Sequence, residues 1–274
     1  MSVRTLSRSN YNTAGTGNPL TFGLFADTAV QSASQLSSAG INTNGNYYII
    51  IGGSAVQCYV NFTFEGGPYI LVMVTSGTGS TYGYDATVWT DTSGGVSTAL
   101  NPTSNTNQVH MAFYNLATTR TGLALYQNST SYFHYLDHAS GTPRALANGS
   151  TPPPAVSPDS TTITAGSIIP SASPKRPGGW GAAITGAGFS AMSWGSTYYR
   201  YGWSHGTPNP ASFGYARFGW SADIDDSDSR DRAIGIGIKN AGGGPVGSVA
   251  YSAGYTDYSA STSNTLKGFL YIKN

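Results

Sequence analysis

The sequence predicts a mainly β chain with minor helix, an α+β fold of one main domain with a short appendage, and three observations predict it. Aromatics make up 12% of the 274 residues, with 19 Tyr against 10 Phe, and Gly reaches 36; that balance favours strands and tight turns over helices. Runs rich in β-branched and aromatic residues recur at strand length over 47–51, 56–64 and 69–74. The pairs Gly52-Gly53 and Gly66-Gly67, the second followed by Pro68, separate them, as hairpin connections require.

Taken in order, residues 1–45 are rich in Ser, Thr, Asn and Gly, with one apolar cluster over 20–25. They read as an N-terminal arm or attachment segment, with a helix expected over 27–36. The globular domain is expected over 46–274, opening with the three strands named above as a small antiparallel sheet. Shorter strand or helix candidates follow at 86–89, 108–114 and 121–126. Residues 139–179 carry Pro152, Pro153, Pro154, Pro158, Pro174 and Pro177, so they are expected to form a long Pro-rich loop. Gly-aromatic segments at 189–195, 198–203 and 213–220 come next. The apolar stretch 232–238 and a last strand at 268–272 complete the domain. No fixed-period repeat is visible, which disfavours solenoids and propellers.

Charge and cysteine content exclude several classes. A net charge of +1 with scattered Lys and Arg offers no electrostatic footprint for nucleic acid. Cys58 is the single cysteine, so no intrachain disulfide forms and a stapled secreted scaffold is excluded. Residues 1–10 lack the apolar run of a signal peptide, and no stretch approaches the roughly 18 apolar residues of a membrane helix. A lectin-like surface without a secretion signal needs another route to the outside, and assembly into a virus particle released by lysis is one.

The sharpest local feature is acidic. Five of the 12 acidic residues, Asp223, Asp225, Asp226, Asp228 and Asp231, fall within nine positions of a chain that is 9% charged. Ca²⁺ takes roughly six to eight oxygen ligands, which carboxylates and intervening carbonyls on one loop can supply. The alternative is a solvated loop partly neutralised by Arg230 and Arg232. An EF-hand is out, because Asp228 stands where that loop needs Gly and the terminal Glu is missing. Catalytic signals are thin: Glu65 is the only Glu, and neither a Gly-x-Ser-x-Gly elbow nor a phosphate loop is present. His134 and His138 would meet on one helical face as zinc ligands, but solvent-exposed or core histidines fit the segment better. Sugar recognition has better material. Aromatic faces take the apolar face of a pyranose, and Tyr251, Tyr255 and Tyr258, with Trp220 just before the acidic stretch, are the expected platform.

The opening strands also resemble the fibrinogen-like domain. Gly45, Tyr47 or Tyr48, Ile49, the Gly52-Gly53 turn, Cys58-Tyr59 and Gly66-Gly67 followed by Tyr69, Ile70, Leu71 and Val72 match that family's Gly-x-Tyr-x-Ile hairpin, Tyr/Cys strand and Gly-Gly turn. The match covers about thirty residues. It implies a Ca²⁺ site on an Asp-rich loop in the C-terminal half, with Asp223 and Asp225 as first ligands, beside a site for acetylated groups or sugar diols, as in the related intelectins. The family's disulfides are missing here, and Pro68-Tyr69 replaces its usual Trp.

Missing signal peptide, missing disulfides, a Ser/Asn/Gly-rich arm and abundant aromatics together resemble a bacteriophage virion protein. The expected function is that of a tail or capsid fibre, an adhesin that is not an enzyme and binds host cell-surface glycans. It would be homo-oligomeric, with trimers frequent among fibres, and partnered by other virion proteins. A purely structural capsid or tail component is the alternative. A glycan hydrolase drawing an Asp pair from the acidic stretch ranks last.

Overall fold

A computed structural model describes residues 21–64, 67–76, 79–91, 94–127, 130–148, 199–205, 214–222, 232–240, 249–257 and 262–274. The chain is mainly β, and its described strands form two antiparallel sheets. The larger holds β1 (Gly45–Ile51), β2 (Ser54–Asn61), β3 (Tyr69–Thr75), β4 (Gln108–Val109), β5 (Thr118–Gln127), β6 (Thr130–Gly141) and β12 (Lys267–Lys273). Its order is β1-β2-β3-β12-β5-β6, with β4 also paired to β3. The smaller is a meander of β7 (Tyr199–His205), β8 (Gly214–Ala222), β9 (Arg232–Asn240), β10 (Val249–Asp257) and β11 (Thr262–Thr265).

Burial follows pattern. Along β1 and β2 alternate side chains are buried, Tyr47, Ile49 and Ile51 against Val56, Cys58 and Val60, so one face of that hairpin meets the core. All seven residues of β3 are buried, as its unbroken apolar run requires of a strand covered on both faces. Each large aliphatic residue there contributes roughly 1.5–3 kcal/mol relative to exposure. One face of the larger sheet, with Ile70, Val72, Leu270 and Ile272, joins Trp203, Phe218, Ile236 and Ala253 of the smaller sheet in one core. The sheets come close at Gly268, since a Cβ there would lie 2.7 Å from Ala253 Cβ. The other face is aromatic: Tyr69, Phe133, Tyr135, Phe269 and Tyr271 pack together, with Phe64 stacked on Phe133 at 4.1 Å between centroids.

Arg217 of β8 ties the sheets' connecting segments together. Its Nε donates to Tyr84 O at 2.6 Å and its Nη1 to Ala147 O at 2.9 Å, and its guanidinium lies over the Tyr84 ring. Ala147 belongs to α3 (Pro143–Asn148), a short helix inside the expected Pro-rich loop. Thr142 starts that helix, its Oγ1 accepting from Ala145 N, and Pro143 fits the first turn, where no N–H is needed.

The helix expected over 27–36 is divided. A 3₁₀ turn covers Ala26–Thr28 and α1 covers Ala33–Ser38. Between them Val30 bridges to Ile49 through bonds with Tyr48 O and Ile50 N. Val30 is β-branched and pairs as a strand residue, while Ser32 caps the helix by accepting from Gln35 N. Of the expected arm, residues 1–20 lie outside the described residues. The part from Thr21 onward lies against β1, and Ala33 and Leu36 are fully buried. The candidate at 108–114 resolves into β4 and α2 (Ala112–Asn115).

Cys58 is fully buried and desolvation pushes its thiol up to about 12, which removes the thiolate that reacts. Native protein at pH 8 is therefore expected to resist an aromatic disulfide reagent that labels the urea-unfolded chain fully. Rapid native labelling would contradict this.

Candidate functional site

The residues expected to form the glycan platform lie in the smaller sheet. Trp220 is in β8, and Tyr251 and Tyr255 are in β10. Cα register joins Tyr201 to Trp220, Trp220 to Ile234, Ile234 to Tyr255 and Tyr255 to Asn264, so these five residues share one row across the five strands. Tyr251 stands on a different row, with Ile238 and Ala216, about 13 Å along β10 at the ordinary rise of a strand.

Asp223, Asp225, Asp226, Asp228 and Asp231, with Tyr258, lie outside the described residues. The chain ends that carry them are defined. Ala222 pairs with Arg232, and Arg232 with Asp257, so the acidic stretch connects β8 to β9 at the end of the sheet where β10 runs out toward Tyr258. The Trp220–Tyr255 row is two residues from that end. Among the described residues no three His, Cys, Asp or Glu side chains converge as a metal site.

A helical His134/His138 pair does not form. Both residues lie in β6, where a four-residue separation spans about 13 Å. Strand pairing with β5 overrides the helical spacing. His138 is instead engaged by Thr121, its Nε2 2.8 Å from Thr121 Oγ1.

A second constellation was not anticipated. Lys273, Arg120 and Asp137 are register partners on β12, β5 and β6, forming a row that ends the aromatic face of the larger sheet. Arg120 grips Asp137 with both a short Nε–Oδ1 contact and an Nη2–Oδ2 bond of 3.0 Å, and its guanidinium lies 4.1 Å over the Tyr135 ring. Burial alone would lower the Arg120 guanidinium, but bonds from Asp137 and Tyr69 outweigh it and hold it above its ordinary value. Lys273 is lowered, by desolvation first and by Arg120 second. The row faces an open depression of about 480 Å³. Thr118 Oγ1 closes its floor, 2.7 Å from Arg120 O and 2.6 Å from Lys273 O. In a chain so poor in charge, ionic residues at the ends of strand runs were the available signal.

No protein-family model matches the sequence, and no curated protein matches it.

Proposed function

We propose that the protein is a virion surface fibre or adhesin whose fibrinogen-like domain binds host cell-surface glycans, with Ca²⁺ held by Asp223, Asp225, Asp226 and Asp228. The observation that carries this reading is the row Tyr201, Trp220, Ile234, Tyr255 and Asn264 close to the sheet end that bears the acidic connection. Aromatic and amide residues beside a hard cation are the materials of sugar recognition: a ring face for the apolar side of a pyranose, oxygen ligands for its hydroxyls. The protein is not an enzyme on this reading, and it acts as a homo-oligomer, a trimer being the usual fibre state, with other virion proteins as neighbours.

Thermal unfolding with Ca²⁺ and with chelator tests it. A cation bound only by the folded state, at about a hundred times its dissociation constant, adds about 2.7 kcal/mol. That corresponds to a rise of roughly 5–10 °C for a chain of this size. Asp223→Ala with Asp225→Ala is expected to abolish the rise, and a glycan array then reads the sugar. Identical midpoints with Ca²⁺ and chelator would sink the cation-dependent reading.

The structural alternative has one observation of its own. Leu24 and Phe25 are 45% and 59% exposed within the arm segment 1–45, and paired exposed apolar side chains fit contact with a neighbouring subunit. Leu24→Ser with Phe25→Ser lowers the oligomeric state in sedimentation on that reading and leaves it unchanged on the first.

A further inference from the structure

His110 lies between β4 and α2, and its ring pins that excursion of the chain to β2. Nδ1 accepts from Ala112 N at 3.1 Å, and Nε2 stands 3.1 Å from Gln57 O and 4.0 Å from Cys58 Sγ. Both ring bonds form together only on the neutral ring with its proton on Nε2. A second proton would turn Nδ1 into a donor facing the Ala112 N–H, and His110 is fully buried, so water cannot take up either group. The surroundings offer no compensation. β2 brings Cys58, whose thiol is itself held neutral by burial. β3 meets His110 through Val72 O, α2 through Phe113 N, and Gly95 and Val96 pack on its backbone. No carboxylate, ammonium or guanidinium among the described residues acts on the ring.

The backbone ties of the same excursion are few. β4 pairs with β3 over two residues, Val109 with Met73 and Gln108 with Val74. Bonds from His110 N to Val72 O and from Ser76 N to Asn107 Oδ1 extend that contact. Neither β4 nor α2 has a ladder to β2 among the described residues, and the His110 ring spans the gap. Ala112 and Phe113 are fully buried beside it, with the Phe113 ring edge-on to Trp89, so the pin keeps apolar surface closed. We propose that His110 is an acid-released latch: protonation of its ring frees β4 and α2 from the larger sheet and uncovers Phe113 and Cys58 while the sheet itself stays paired. The opening is local because β3 keeps its own ladder to β12, from Ile70 to Thr75. Such a latch is a conformational device of the larger sheet and needs neither Ca²⁺ nor a glycan.

Amide hydrogen exchange of the full chain tests the latch, read at pH 7, 5.5 and 4 on peptides covering 108–115 and 268–272 and corrected for intrinsic rates. A ring that titrates near 6.5 when released and at about 4 when closed multiplies the opening constant of 108–115 by about a hundredfold between pH 7 and pH 4. That constant is expected to exceed the one for 268–272, in the central strand β12, at every pH. Cys58 labelling by dithiodipyridine, which reacts with thiols in acid as well, is expected to speed up by the same factor relative to a free thiol. His110→Asn keeps an acceptor for Ala112 and is expected to cut the rise to less than about threefold. If that variant does not fold, the two peptides of the parent chain decide by themselves. Equal opening constants for both peptides would mean global unfolding and overturn the latch. So would a parent with no rise in acid, a rise undiminished in His110→Asn, or a Cys58 that stays unlabelled while 108–115 exchanges.

Discussion

Acidification from pH 7 to pH 4 is expected to remove about 3 kcal/mol of stability through His110 alone. His110 is fully buried beside Cys58, whose sulfur lies 4.0 Å from Nε2. Its Nδ1 accepts from Ala112 N at 3.1 Å, so the neutral ring carries its proton on Nε2, 3.1 Å from Gln57 O. A second proton would have to displace the Ala112 bond in an apolar setting. Desolvation accordingly lowers the ring from 6.5 to about 4, the Gln57 carbonyl opposing weakly. The unfolded chain binds a proton below about pH 6.5 and the folded chain does not until about pH 4. Stability contributed by the neutral ring is therefore complete above pH 6.5 and lost as pH falls through that window. Urea titrations at pH 7, 5.5 and 4 measure it. His110→Asn retains an acceptor for Ala112 and loses the Gln57 bond, so it is less stable at pH 7, but its pH dependence should be shallower by about one proton. Equal slopes for variant and parent would refute the assignment to His110.

How far the fold could be read depended on where its pairing information resides. The β1–β2–β3 ladder was legible because local chemistry and tertiary burial agree: Ile49, Val56 and Val72 favour strands, and Gly52 and Gly53, at φ 60° and 84°, make the turn between them. Segments 198–203, 213–220, 232–238 and 268–272 likewise carry enough aromatic or β-branched residues for their bounds to fall within two residues of those of β7, β8, β9 and β12. β6 and β10 were less legible. The 251–258 segment reads as a piece folding back over the acidic stretch, yet 249–257 is the strand between β9 and β11, because ladder bonds to β9 outweigh the weak propensities of Ser252 and Gly254. For the Lys273–Arg120–Asp137 row, ionic residues at strand ends were the one signal, and it did not show that they meet, since strand register alone brings residues so distant in sequence to one row. The depression beside Lys273 and the His110 pocket share this origin, being made by long-range pairing.

Gly235→Ala is expected to be among the most damaging single changes in the smaller sheet. Gly202, Gly219, Gly235 and Gly254 are register partners on four consecutive strands, a row with no Cβ atoms adjoining the row of Trp220 and Tyr255. A Cβ on Gly235 would lie 2.2 Å from Phe218 O and 2.8 Å from Gly219 Cα. Both are backbone atoms of β8, so no flexible side chain can yield, and the φ of 153° is one that residues with a side chain rarely adopt. Backbone strain of about 1–3 kcal/mol and overpacking of similar size combine to about 4 kcal/mol, a large share of the roughly 5–15 kcal/mol that holds a domain together. The only relief is to move β9 away from β8, which breaks the ladder that carries Trp220, Ile234 and both ends of the acidic connection. Gly53→Asn is the matched control. Its φ is also left-handed, at 84°, but nothing lies within 4 Å of the added Cβ, and Asn tolerates that conformation; the expected loss is below about 1 kcal/mol. Thermal midpoints should therefore fall by roughly 8–16 °C for Gly235→Ala and by only a few degrees for Gly53→Asn. A Gly235→Ala midpoint within a degree of the parent would mean that β8 and β9 do not approach as closely as this row requires.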